Sequence, residues 1–234
     1  MATLIRSREA EMSESIPPLE NGDNLDVHEF LRRYEAMPDD CDAELIEGIV
    51  YMASPVSHRN HGRPHKQISY WLSHYESFTP RIDGGDNSTT RLDLGNAPQP
   101  DLLLRVEEDA GGTSRETDDG YIEGPPELVV EVAASTASVD LNQKYAAYAR
   151  NGVREYVVWR TRDKVVDWFA LDDHGDYRRI MPDPADRLLK SNVFPGLWLD
   201  ADALLAGDLP RLRAAVERGC ATPEHEAFVR SLNG

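Results

Sequence analysis

Cysteine, long apolar runs, phosphate-binding glycine loops and positive charge are all scarce or missing in this chain. Two cysteines in 234 residues, Cys41 and Cys220, are too few for a disulfide framework, and neither belongs to a metal-spaced motif. Both read as free thiols, which suits a reducing cytoplasm. No run approaches the roughly 18 apolar residues of a membrane span. The opening MATLIRSREAEMSES has no apolar core like that of a signal peptide. Neither Ser135 nor Ser138 lies in a G-x-S-x-G elbow, which disfavours serine-hydrolase chemistry. No glycine-rich phosphate loop is present, which disfavours P-loop chemistry. Lysine and arginine number 25 against 42 aspartates and glutamates, for a net charge of −17. That excess repels nucleic acid at long range and argues against nonspecific DNA binding.

What is there describes a folded, soluble protein, 40% hydrophobic and 29% charged, with length enough for a sizeable core. Residues 1–24 read as a flexible leader, because Pro17-Pro18 and Asn21-Gly22 break any pattern. Residues 25–234 show no repeat and no linker, and read as a single domain. Asp26 can cap a helix holding Val27, Phe30, Leu31 and Tyr34. AELIEGIVYMASP predicts two short strands around Gly48. From Pro64, the spacing of Ile68, Trp71, Leu72 and Tyr75 predicts an amphipathic helix. Ser88–Leu94 and Asp101–Val106 read as strands, and 107–126 as a long acidic loop. Leu128-Val129-Val130-Glu131-Val132 reads as a buried strand. A helix comes next, with Asp140 as its cap and Gly152 as its stop, then a strand from Tyr156 to Trp159. A hairpin is expected over Lys164–Leu171 and Tyr177–Met181. FPGLWLD reads as a loop packed on the core, and helices at about Ala201–Arg218 and after Thr222 close the chain. The pattern predicts an α+β fold with a mixed sheet and helices on its faces.

One residue does not fit its surroundings. Glu131 puts a carboxylate inside an apolar strand, which is costly unless it is paired or binds a metal. Asp101 opens the preceding apolar strand, directly after Pro100. If the two strands pair antiparallel through loop 107–126, these carboxylates meet at one end. Close carboxylates repel unless a proton or cation lies between them. Their hard oxygens suit magnesium or manganese, which can activate water and stabilise charge on a phosphate. A cation at such a site also neutralises acidity locally, so the net charge alone does not exclude phosphodiester chemistry. Lys144, in the first turns of the next helix, can reach the same end if that helix packs over the sheet, and Glu44 is a fourth candidate. Each residue also has a bland reading. Asp101 can be a turn residue, and Lys144 and Glu44 can be surface charges. Glu131 can sit in a structural ion pair with Lys144 or Arg154. Local positive charge is densest over Ser57–Lys66, where Arg59, His61, Arg63 and Lys66 offer nucleic-acid contacts, or merely a solvated helix start. A transition-metal reading of His61 and His65 meets Gly62 and Pro64 between them, which argue against a regular helix.

The order Pro100-Asp101, ELVVEV over 127–132, Asp140-x-x-x-Lys144-x-x-x-Tyr148 and GVREYVVW over 152–159 resembles the Uma-two family. Its members are restriction-endonuclease-like proteins of the PD-(D/E)XK nuclease superfamily. ELIEG (44–48), MASP (52–55), His61-Gly62, QPD (99–101), FPGLWLD (194–200) and EHEAF (224–228) extend the likeness over most of the chain. The resemblance implies a restriction-endonuclease-like core, a central mixed sheet flanked by helices. It implies that Asp101 and Glu131 hold magnesium (or manganese), with the Val132 carbonyl as a further ligand and Glu44 in support. The superfamily lysine normally stands two residues after the acidic one, where this chain has Ala133, and the resemblance makes Lys144 its migrated substitute.

Two functions are compatible with these residues. The first is a magnesium-dependent endonuclease acting on DNA, with catalytic Glu44, Asp101, Glu131 and Lys144. A homodimer would suit it, since cutting a duplex needs two sites. The second is a catalytically inactive nuclease fold serving as a binding or assembly module, which the −17 charge and Ala133 favour.

Overall fold

The computed structural model describes residues 16–38, 40–53, 55–134 and 137–234. Most of the expected leader (1–15), Ser54 of MASP and the Ser135 position lie outside the described residues. The rest of the leader region packs against its neighbours. Leu19 is buried, and the N–H groups of Gly22 and Leu25 donate to the carbonyls of Val50 and Gly48.

Helix α1 (Val27–Tyr34) starts as expected, with the Asp26 side chain accepting from the Glu29 N–H. Strands β1 (Ala43–Ile46) and β2 (Ile49–Met52) form the hairpin around Gly48, with Glu44 facing Tyr51. The break expected between His61 and His65 does not occur. One π-helical turn, His58–Gly62, runs straight into α2 (Arg63–Glu76). Pro64 is tolerated because it stands in the first turn, where its missing N–H has no intrahelical partner to lose. Ile68, Trp71, Leu72 and Tyr75 are buried as predicted.

Strand β3 (Ile82–Asp86) is not evident in its IDGGD sequence. Its glycines serve close packing: a Cβ on Gly85 would stand 2.9 Å from Ser88 Oγ and 3.0 Å from Leu103 Cγ. Of the strand expected over Ser88–Leu94, only β4 (Thr90–Arg91) forms. Strand β5 (Leu102–Val106) comes next. The expected long loop is structured: β6 (Arg115–Glu116) and β7 (Ile122–Glu123) join β4 in a small sheet. Buried Glu127 anchors that excursion by accepting from the Val106 and Thr113 N–H groups at 2.8 and 3.0 Å. Strand β8 (Leu128–Ala133) is buried along its whole length.

The crossover from β8 is α3 (Ala137–Val139), a π-helical turn over Asp140–Lys144, and α4 (Tyr145–Asn151). Asp140 is therefore buried within a helical run and is not its cap. The chain continues through β9 (Glu155–Arg160), β10 (Val165–Leu171), β11 (Tyr177–Arg179), β12 (Leu189–Lys190) and β13 (Trp198–Leu199). The helix expected over 201–218 is two, α5 (Ala201–Ala206) and α6 (Leu209–Cys220). Asp208 starts the second by accepting from the Arg211 N–H, with Pro210 in its first turn. Helix α7 (Pro223–Leu232) is capped by Thr222. No helix among the described residues is long and apolar enough to cross a membrane. Cys41 and Cys220 are free thiols.

Six strands make the central sheet in the order β11-β10-β9-β8-β5-β3. Only β8 and β9 pair in parallel, as their helical crossover requires, and the other neighbours are antiparallel. This is the mixed sheet with flanking helices that the sequence predicts. One face carries Leu102, Leu104, Val130, Val132 and Trp168 into a core shared with α2, α6 and α7. The other carries Val129, Ala133, Tyr156 and Val158 against α4.

Helix α6 approaches the FPGLWLD loop so closely that a Cβ on Gly219 would lie 2.1 Å from the Gly196 carbonyl oxygen. Gly219→Ala should therefore lower stability by about 3 kcal/mol, the upper end for overpacking. A urea midpoint equal to wild type would show that α6 steps aside freely. Glu155 gives a second check. Its carboxyl is buried and accepts from Ser191 Oγ at 2.7 Å and the Asn192 N–H at 2.6 Å. Burial outweighs these bonds and pushes its pKa up to about 7. The folded state then holds a proton that the unfolded chain releases nearer about pH 4.3. Stability should fall as pH rises between those values, by about 4 kcal/mol at most. Glu155→Gln should flatten that part of the urea stability profile, and an unchanged slope would rule the carboxyl out as its source.

Candidate active site

The register of β5 on β8 runs Leu102↔Val130, Leu103↔Val129, Leu104↔Leu128. One residue further along, Asp101 falls opposite Glu131. Facing Cα atoms in such pairs are about 4.5–5.5 Å apart. Both carboxylates are buried, at 8% and 4% exposure. The antiparallel meeting expected from the sequence is thus what the sheet makes. Asp101 Oδ2 accepts the Val132 N–H at 2.6 Å, and Oδ1 lies 2.9 Å from His61 Nε2.

On β8, Glu131 shares its face with Val129 and Ala133, the face under the crossover helix. That helix sends Lys144 down onto it. Lys144 Nζ donates to Glu131 Oε1 at 2.9 Å and lies 2.8 Å from Glu44 Oε2. The Tyr148 hydroxyl donates to the same Oε1 at 3.1 Å. Asp140 Oδ1 stands 3.9 Å from the ammonium. Asp140, Lys144 and Tyr148 recur every four residues, so one helix face carries all three toward Glu131. Glu44 is held from the other side by the Gln99 N–H at 3.3 Å. The structure therefore brings Glu44, Asp101, Glu131 and Lys144 together.

Burial pushes the Glu131 carboxyl well above its usual range. Lys144 opposes that push, while the negative charges of Asp140, Asp101 and Glu44 add to it. Burial also works against the Lys144 ammonium, but Glu131, Glu44 and Asp140 outweigh it and hold its pKa well above the ordinary lysine value. Asp101 goes the other way. Burial would raise it, yet the His61 ring and the Val132 N–H hold it below the usual range. The hydrogen bond to Asp101 raises His61 in turn. Around one ammonium, then, carboxylates are in excess.

That excess bears on metal binding. Among the described residues, no three His, Cys, Asp or Glu side chains close into a ready cage. A magnesium-type ion does not need one, because it keeps several waters and takes one or two carboxylates. The donor chemistry of Asp101 and Glu131 fits such an ion. Asp101 Oδ1 and Oδ2 each keep a lone pair beyond one hydrogen bond, and Glu131 keeps Oε2, because its Lys144 and Tyr148 contacts both fall on Oε1.

Of the four residues read as nucleic-acid contacts, Arg59, Arg63 and Lys66 are exposed on the π-helical turn and the start of α2. His61 turns inward to Asp101. His65 comes with it: the two rings stack at 5.7 Å, and His65 Nε2 lies 3.1 Å from the Asp101 carbonyl oxygen. Asp86 is 3.4 Å from the same nitrogen. His65, Asp86, Asp140 and Tyr148 thus join the site beyond the residues expected in it. The four-residue spacings His61–His65 and Asp140–Lys144–Tyr148 are the sequence signal that points to three of them.

The architecture, a mixed central sheet flanked by helices, is shared with a solved protein. A crystal structure described as a putative nuclease belonging to DUF820, from Anabaena variabilis, superposes with a TM-score of 0.50 at 11% identity. The match covers 80% of this chain and 98% of that one. More narrowly, the sequence matches the Uma2 family, described as "Putative restriction endonuclease", over residues 27–202, and the chain belongs to that family. No curated protein matches it in sequence.

Removing the central cation tests the charge balance directly. Lys144→Met leaves Glu131, Glu44 and Asp140 without it and should cost about 3–5 kcal/mol of folding stability. The double variant with Glu131→Gln should recover part of the loss, as read by urea unfolding. Equal stability of wild type and Lys144→Met would mean that the ammonium does not balance this cluster.

Proposed function

We propose that the protein is a magnesium-dependent endonuclease that hydrolyses phosphodiester bonds of DNA. The observation that carries this reading is the placing of Asp101 opposite Glu131, with the Lys144 ammonium on Glu131. Membership of the Uma2 family supports the general activity. Asp101 and Glu131 would hold the magnesium (or manganese) ion. The Val132 carbonyl would join them, since in an extended strand it leaves on the same side as the N–H that meets Asp101. When bound, the ion supplies positive charge to a phosphate oxygen and acidity to a water.

The chain's own residues do the rest. Lys144 brings to the Ala133 position the charge that a lysine there would have carried. It fixes the Glu131 carboxylate and favours negative charge building on a nearby phosphate. Glu44 holds Lys144 in place from the opposite side. Arg59, Arg63 and Lys66 bind the nucleic-acid backbone beside the site. In the reaction a water oxygen bonds to phosphorus as the bridging P–O bond breaks, leaving a phosphate monoester and a hydroxyl.

One observation favours the other reading, a nuclease fold used only for binding or assembly: Lys144 and His61 are both committed to carboxylates. The experiment that separates the two is a magnesium titration of wild type, Asp101→Asn and Glu131→Gln, following plasmid nicking and calorimetric binding. The nuclease reading expects metal-dependent cleavage that falls by about 100-fold or more in each variant, with weaker magnesium binding and an intact fold. A wild type that neither binds magnesium nor cleaves would make the protein a non-catalytic module.

A further inference from the structure

Cations in this acid-rich chain are mostly paired. Arg160 is typical, with Nε 2.7 Å from Asp167 and one terminal nitrogen 2.5 Å from Asp163. Among the described residues, the Lys and Arg side chains with no ion pair are unevenly spread. Three stand apart: Arg154 before β9, Arg187 between β11 and β12, and Arg218 on α6. Five lie at one end of the central sheet: Arg59, Arg63 and Lys66 at the entry to α2, and Arg162 and Lys164 in the turn between β9 and β10.

The fold sets that turn beside the site. The parallel register of β8 and β9 ends at Ala133↔Arg160, and the Thr161 N–H donates to the Ala133 carbonyl at 3.0 Å. The turn therefore begins level with the residue two beyond Glu131, about 7 Å along the strand. The Thr161 hydroxyl donates to the Asn60 carbonyl at 2.7 Å. That bond ties the turn to the π-helical turn carrying Arg59. Arg162 and Lys164 are exposed. The one acidic residue between them, Asp163, is taken up by Arg160. Lys164 sits at φ 56°, a fixed left-handed position closing the turn.

We propose that Arg162 and Lys164 form a second phosphate-contact element, which grips the backbone of double-stranded nucleic acid beside the Arg59–Lys66 surface. It rests on the nuclease reading above and names a part of the substrate grip that reading lacked. Such contacts set position and affinity and carry no base sequence. They answer the net charge locally, because the field at a cleft depends on the unpaired charges around it.

The test is binding of a fluorescent duplex of about 30 base pairs, with calcium in place of magnesium to prevent cleavage, over a range of salt. The variant is Arg162→Ala with Lys164→Asn, asparagine being at ease at positive φ. Losing two phosphate contacts should lower the slope of log affinity against log salt by about 1.8, or roughly 30-fold in affinity at about 0.15 M. Arg154→Ala should change neither quantity, and melting temperatures should match wild type. If the double variant binds like wild type while Arg59→Ala with Arg63→Ala binds weakly, the proposal fails and the nuclease reading stands. A wild type with no salt-dependent binding overturns both.

Discussion

One buried ammonium holds the site together. Lys144 stands between Glu131 on the central sheet and Glu44 on the β1–β2 hairpin, 2.9 and 2.8 Å away. The hairpin and the central sheet are separate sheets, so the lysine is where hairpin, sheet and crossover helix meet. A charge at 4% exposure is tolerated only because its partners are at contact distance. The same balance forces Lys144 to be long, to descend from the helix and to stay charged. An amine rising from the position of Ala133 would have met Glu131 from within the strand. Here the crossover supplies it, and Ala133 leaves the space.

The crossover is shaped for that task. A regular α-helix advances about 100° per residue, and a π-helical turn over Asp140–Lys144 shifts the phase of the residues after it. Asp140, Lys144 and Tyr148 reach the sheet together, while Tyr145 packs on Phe169 and Tyr177 alongside. A second π-helical turn, His58–Gly62, does the same at the other flank by turning His61 onto Asp101. Both carboxylates facing across β5 and β8 are thus approached by a nitrogen from a π-turn. Such turns are frequent at functional sites.

What could be read from residues alone divides along physical lines. β8 was legible because β-branched side chains in a short apolar run leave few alternatives, and Glu131 stood out against them. Asp101 could then be placed opposite by strand direction. β3 was invisible because its glycines serve packing, not strand propensity: Gly84 lies against the Glu76 carboxylate and Gly85 against Ser88 and Leu103. The small sheet over 115–123 hid in a polar segment that pairs with the remote β4 and whose base is tied by the buried carboxylate of Glu127. Asp140 looked like a cap because aspartate usually caps helices, and only tertiary burial makes it a member of the charge cluster. His61 looked like a surface contact because spacing says nothing of which face of a turn meets the sheet.

Net charge misleads in the same way. A value of −17 describes the field far from the molecule, where screening has already removed most of it. Close in, carboxylates tied to arginines cancel, as Asp167 does between Arg160 and Arg179. What remains at the open ends of β8 and β9 is a buried acidic pair rimmed by cations that have no ion-pair partner among the described residues. An anionic ligand is repelled by the whole and attracted by the part. Its approach should therefore be slow at low salt and its grip local. On the proposed reading, that combination would limit contact to nucleic-acid backbones that can lie across this one end of the sheet.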